Sequence, residues 1–305
     1  RRAGAEFHAS ADGRAAAARI LDVLDHGDAV ALRTGPAAPL PDPRRHLLRL
    51  EGVTVRHDGR AQPVLDSVDL TIAPGEHIAV VGPSGQGKST LLSVLLGFVT
   101  PQAGRVTVGG TDLADLDRDR WLAEVAWVPQ RPSLLRGTIA DNLRLGDPGA
   151  DTATLLAAAE LAGLDDLLRR LPAGLETAVA EGGVSLSAGE RQRIALARAV
   201  LRDAPVVLLD EPTAHLDLAQ QQRTLSLCRA QAQAGRGVVV VLHDPAQAQV
   251  WADQVLLLGK DGPTQGPAAT MLEPGRLSAL YGVGLEVRPS LVLATQPAQL
   301  APGAS

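Results

Sequence analysis

The chain has 305 residues, 45% of them hydrophobic, which is enough for roughly two domains of about 150 residues and a packed core. A formal net charge of −5 argues against a general polyanion-coating protein; no nucleic-acid partner is expected, and any bound anion must be met by a local site. Cys228 is the only cysteine, which excludes an internal disulfide and a cysteine-based metal cluster and suits a reducing compartment.

The chain starts Arg1-Arg2 rather than with Met, which suggests a piece of something longer. Residues 6–25, EFHASADGRAAAARILDVLD, read as an amphipathic helix with Ile20, Leu21, Val23 and Leu24 near one side. Residues 34–45 hold four prolines in twelve positions and read as an extended, semi-rigid linker. A folded domain is therefore expected over 46–262, preceded by a helix and linker over 1–45 and followed by a tail over 263–305. No run reaches the roughly 18 apolar residues that a membrane helix needs.

Within that domain LLRLEGVTV alternates and predicts a strand, as does SVDLTI, which ends at the turn APGE. HIAVVG is a short apolar run feeding a glycine loop, and KSTLLSVLLGF follows with helical spacing. GRVTVGG is another strand. Residues 112–204, rich in Ala, Leu and Arg, read as mostly helical. APVVLLDEP is too apolar to have a wet face. A helix over QQQRTLSLCRAQAQAG and the strands GVVVVLHD and QVLLLG complete the series. Alternating strand and helix predicts an α/β fold, a mostly parallel sheet covered on both faces, with 112–204 inserted into it. The tail after Gly262, rich in Pro, Ala and Gly, is expected to be weakly structured in part.

Lys88 is one of only two lysines in the chain. It sits in Gly82-x4-Gly87-Lys88-Ser89, the phosphate-loop pattern, between a strand and a helix. Glycines let the backbone turn its N–H groups inward, and the helix N-terminus adds its positive dipole end. The stretch Gly82, Pro83, Ser84, Gly85, Gln86, Gly87, Lys88, Ser89 and Thr90 is the expected cradle for the phosphates of ATP. Lys88 reaches the terminal phosphates as a compact charge, and the Ser89 hydroxyl is offered to Mg²⁺. Asp210 and Glu211, adjacent carboxylates ending an apolar strand, supply the rest: Asp210 for Mg²⁺, Glu211 to orient and deprotonate a water.

The stretch VSLSAGERQRIALARAV, 184–200, resembles the signature of ATP-binding cassette (ABC) ATPases, usually Leu-Ser-Gly-Gly-Gln, with Ala188 and Glu190 departing from it. The glutamate adds charge near a nucleotide, so a slower signature is expected. Other residues fit the resemblance in order. Gln130 looks like the glutamine that touches Mg²⁺, His243 like the switch histidine at the γ-phosphate, and Asp217 in AHLD like the conserved loop aspartate, with His215 at a variable position. The similarity covers about residues 47–260. It implies a P-loop nucleotide hydrolase core with an antiparallel β-subdomain on its N-terminal side and an inserted helical subdomain. It also implies a catalytic set of Glu211, His243 and Lys88, metal contacts from Ser89, Gln130 and Asp210, and a head-to-tail pair of ATPase domains, identical or different, in which Ser187 and Gly189 hold the nucleotide on the partner's loop. Adenine, stacked on an aromatic residue in the family, here meets His57, which predicts weaker adenine selectivity.

RPSLLRGTIADNLRLGDP after Gln130 and TAVAEGG before the signature resemble exporter ATPases, and the N-terminal helix resembles the end of an exporter's membrane domain fused upstream of residue 1. In wording the nearest resemblance is to the cysteine and glutathione exporter of cytochrome bd assembly. MLEPGRLSALYGVGLEV, 271–287, instead resembles the tail of separate importer ATPases for siderophore, haem or cobalamin. Either resemblance implies a place on the cytoplasmic face of the bacterial inner membrane and a small-molecule cargo that this chain does not touch.

Overall fold

The computed structural model describes residues 37–57, 59, 62–260 and 262–284. The expected helix at 6–25 and the end of the tail lie outside the described residues. Twelve strands are described: β1 (Leu48–Val55), β2 (Leu65–Ile72), β3 (His77–Val81), β4 (Ala103–Val108), β5 (Thr111–Asp112), β6 (Val125–Val128), β7 (Gly137–Thr138), β8 (Ala178–Val179), β9 (Val206–Asp210), β10 (Gly237–Val241), β11 (Gln254–Leu257) and β12 (Thr264–Pro267). The α-helices are α1 (Lys88–Leu95), α2 (Arg118–Ala123), α3 (Ile139–Arg144), α4 (Thr152–Leu161), α5 (Asp165–Arg170), α6 (Ala188–Arg202), α7 (Leu218–Gln233), α8 (Pro245–Trp251), α9 (Ala268–Met271) and α10 (Pro274–Tyr281).

The main sheet runs β12-β11-β3-β10-β9-β6, parallel except for the antiparallel edge strand β12. Its central strands β3, β9 and β10 are buried at every position, so their unbroken apolar runs face helices on one side and a second sheet on the other. Successive residues divide between two cores. Ala79, Val81, Leu209 and Val240 join the helical lobe and α6–α8. Ile78, Val80, Leu208 and Val239 join α1 and the antiparallel sheet β2-β1-β4-β5. Trp121 of α2 fills that second core and donates from Nε1 to Leu95 O at 2.9 Å.

Two elements differ from expectation. The stretch read as helical from 112 to 204 contains β6, which pairs in parallel with β9 as part of the main sheet; four residues, VAWV, are too few to show a period among helix-forming neighbours. The stretch after Gly262 is more ordered than its composition suggests. β12 adds to β11 by backbone pairing, and the Gln265 amide bonds both the N–H and the C=O of Thr71, each at 2.9 Å, tying the two sheets together. The end of the proline-rich linker is also docked: Ala38 bridges to Leu116, and Arg44 Nη2 donates to Asp203 O at 2.6 Å, at the C-terminal end of α6.

Candidate nucleotide site

β3 stops at Val81, the chain turns through residues 82–87, and α1 starts at Lys88. Gly87 caps that helix with φ 85° and provides no side-chain cap, so the first-turn N–H groups are left for a ligand. Two of the glycines are sterically required. A Cβ on Gly82 would lie 2.2 Å from Leu258 O, and one on Gly87 would lie 2.5 Å from Val64 O.

Lys88 is folded onto its own loop, donating from Nζ to Gly82 O at 2.7 Å and Pro83 O at 3.0 Å. Burial lowers its pKa, against the pull of Glu211 and Asp210, which raise it. Those acids are brought alongside by the parallel pairing of β9 with β10, which sets Asp210 opposite Val241. Asp210 is 4% exposed. Burial pushes its carboxyl above the usual range, as does Glu211, while a bond from Ser89 and the charges of Lys88 and His243 pull it down. Its Oδ1 is buried without a hydrogen-bond partner. A buried, unpaired carboxylate oxygen is costly unless a cation meets it. With the Ser89 hydroxyl beside it, this donor set is all-oxygen and hard, the chemistry that suits Mg²⁺.

Glu211 takes φ 49°, in the left-handed region. Its backbone N–H still reaches Val241 O at 3.2 Å. The side chain is gripped at both oxygens: Gln130 donates from Nε2 to Oε2, and His243 Nε2 lies 2.5 Å from Oε1. A cleft of 350 Å³ brings His57, Gln130, Glu211 and His243 together around Ser84, Lys88, Ser89 and Thr90. His57 Nε2 is 3.4 Å from Thr90 Oγ1, at the cleft's edge. Gly82, Pro83, Gln86 and Asp210 are not among the lining residues; the first two stand behind the loop as acceptors for Lys88.

Ser187 and Gly189 lie apart from this cleft, at the start of α6. Ser187 caps the helix: its hydroxyl accepts from Glu190 N at 3.2 Å, and the Glu190 carboxylate accepts from Ser187 N at 2.8 Å, a reciprocal capping box. The charge that Glu190 adds is paired in the structure: Arg170 of α5 donates to its Oε1 at 2.9 Å. Sequence reading missed Arg170, because an arginine in the charged stretch DDLLRR gives no signal of a partner 20 residues away. The exporter-like residues also have structural work here. Thr138 and Asp141 form the capping box of α3, and the buried Asn142 amide bonds Leu135 and Thr138. Asp217 caps α7 and His215 takes φ 62°.

A family model described as ABC transporter matches residues 65–214. The mycobactin import ATP-binding/permease protein IrtB of Mycolicibacterium smegmatis is 40% identical over 266 residues, which cover 87% of this chain and 44% of that protein. The ATP-dependent lipid A-core flippase of Ralstonia nicotianae is 40% identical over 222 residues, 71% of this chain and 37% of that one. Among solved structures, a bacterial Atm1-family ABC exporter with ATP bound aligns with a TM-score of 0.75 at 33% identity, covering 89% of this chain and 46% of that chain. The chain thus spans less than half the length of each of these relatives.

Proposed function

The chain belongs to the ABC transporter family as an ATP-binding domain of the exporter type, and on that premise we propose that it is the ATP-hydrolysing motor of a membrane transporter. The observation that carries the proposal is the pairing of two things in one place: a phosphate cradle ending at Lys88, and a carboxylate, Glu211, held at both oxygens at its mouth.

The chemistry follows from the side chains. The loop N–H groups and Lys88 neutralise the β- and γ-phosphates, Lys88 trading two carbonyl acceptors for phosphate oxygens. Ser89, Asp210 and Gln130 are the residues that would hold Mg²⁺. The ion, when bound, neutralises developing charge on the phosphoryl oxygens. Glu211 orients the attacking water and takes its proton, while His243 and Gln130 fix the direction of that carboxylate. Ser187 and Gly189 serve the nucleotide of a second ATPase domain, so that binding closes a pair and hydrolysis opens it.

The partners in this reading are that second domain and a membrane-spanning part. Among the described residues no helix is long and apolar enough to cross a membrane. Relatives that carry ATPase and permease in one protein support a fused membrane part and do not favour the separate importer subunit suggested by 271–287; in this reading that part lies upstream, and the motor sits at the cytoplasmic face of the bacterial inner membrane. One relative is named for import and another is an exporter, so the reading concerns the build of the motor rather than the direction of its cargo. The cysteine and glutathione exporter is a looser comparison. Calorimetric titration of Lys88→Ala with Mg·ATP tests the assignment: nucleotide binding is expected to be lost, and a variant that binds and turns over ATP as before would refute it.

A further inference from the structure

The signature of this chain carries a glutamate where the family's usual sequence has glutamine, and the structure shows what meets it. Glu190 lies at the third position of α6, a helix of 15 residues, and its side chain is only 14% exposed. One oxygen serves the capping box with Ser187; the other accepts from Arg170 Nη2 at 2.9 Å. Burial works to raise the Glu190 carboxyl, but the Ser187 bonds and Arg170 outweigh it and hold it below the usual range. The charge is therefore present at neutral pH, next to the Ser187–Gly189 turn.

The nearby Arg193 acts on Glu190 through its charge but makes no hydrogen bond to it, donating instead to Gly163 O at 2.8 Å and to Gly189 O at 3.3 Å. Arg170 is the cation bonded to Glu190, and it is aimed there by a bond from its own Nε to Asp166 O at 3.3 Å. The Arg170 side chain is 67% exposed, so as a contribution to fold stability the pair is weak. Its electrostatic effect on a polyanion arriving at the same helix end is larger, because like charges there cost affinity.

We propose that Arg170 is a positioning residue for the nucleotide shared between two ATPase domains: it offsets the Glu190 charge and holds the Ser187–Gly189 turn open to the partner's triphosphate. The Ser187 oxygen accepts within the capping box, which leaves its O–H proton to donate to a phosphate oxygen. The proposal rests on the head-to-tail pairing of the preceding section.

The test is steady-state ATP hydrolysis by the 305-residue chain, by Arg170→Ala, by Arg170→Lys and by the double variant Arg170→Ala/Glu190→Gln. Arg170→Ala is expected to raise the KM for Mg·ATP by about three- to tenfold, with less change in kcat and a smaller effect at high salt. Arg170→Lys keeps the charge and stays near the unmodified KM. The double variant removes both charges and returns KM to within about twofold of it. A merely structural Arg170 predicts no rescue. An unchanged KM in Arg170→Ala, or a double variant as impaired as the single one, overturns the proposal. An unmodified chain that fails to hydrolyse ATP overturns the motor reading itself, and the proposal with it.

Discussion

His243 Nε2 lies 2.5 Å from Glu211 Oε1, and Gln130 donates to the opposite oxygen of the same carboxylate. The two contacts leave Glu211 little rotational freedom. A base that must meet a water in one direction gains from such a grip. Glu211→Gln retains the shape and loses the base. Turnover is expected to fall by about 10²–10⁴-fold while Mg·ATP stays bound and the closed pair accumulates. Single-turnover kinetics with labelled ATP, together with sedimentation of the loaded variant, check both halves; wild-type turnover would remove Glu211 from this role.

His243→Ala frees only one side of that grip, because the Gln130 bond remains. A smaller defect follows, about 10-fold or more in kcat with little change in ATP affinity. If the histidine instead matters chiefly for binding, KM will move and kcat will not. The two constants, measured on the same preparation, separate the possibilities.

Asp210 gives a pH signature. Burial raises its carboxyl above the ordinary Asp range in the folded chain. Folded protein thus holds this proton more tightly than unfolded protein does. The associated stability is fully present below the ordinary Asp pKa and is lost as pH rises through Asp210's own, higher value. Asp210→Asn removes that burden, while Lys88 keeps Glu211 as counter-charge. At neutral pH without nucleotide or metal, the melting midpoint of Asp210→Asn is expected to rise by about 2–4 °C. The advantage should shrink toward acid pH, and Mg²⁺-dependent hydrolysis should be lost. A variant that melts lower at neutral pH would contradict the burial argument.

What could be read in the sequence follows from where the information is stored. The strands β3, β9 and β10 were legible because burial on both faces forces continuous apolar runs. The phosphate loop and the pair Asp210-Glu211 were legible because chemistry fixes both residue type and spacing. β6 is too short to show a period, and β12, TQGP, is held by backbone pairing to β11 and by the long-range bonds of the Gln265 amide to Thr71, neither of which a local pattern announces. In the site, the left-handed backbone of Glu211 and its double grip arise from packing that no local pattern encodes. The Arg170–Glu190 pair joins residues 20 apart on different helices, so the charge of Glu190 was visible and its compensation was not.

His57 sits at the edge of the cleft, 3.4 Å from Thr90 Oγ1, where it can offer an imidazole face to a base. Its ring is smaller than that of tyrosine, and base stacking is worth about 1–3 kcal/mol. His57→Tyr is expected to tighten ATP binding by about threefold or more and to widen the preference for ATP over GTP; His57→Ala should weaken both nucleotides. Calorimetry with the two nucleotides reads this out. A strong ATP preference that survives His57→Ala would place base recognition elsewhere.

Gly87 carries the sharpest steric prediction. Its φ of 85° lies where an L side chain is strained, and an added Cβ would come within 2.5 Å of Val64 O and 2.8 Å of Leu65 Cδ2. The leucine methyl can rotate away, but the carbonyl belongs to backbone that pairs with β1 through the Val64 N–H to Val55 O bond at 2.7 Å. Gly87→Ala must therefore move the loop, and with it the N–H groups that open α1. Nucleotide affinity is expected to fall by about 100-fold or more, since even a 1 Å displacement of positioning groups has that scale of effect. The fold should persist, because Leu91, Leu92 and Leu95 stay buried in the core on the far side of the helix. Far-UV circular dichroism of the variant should match the unmodified chain while calorimetry shows lost binding. Normal affinity in a folded Gly87→Ala would mean that the loop tolerates a Cβ there and that the phosphate cradle does not depend on this turn.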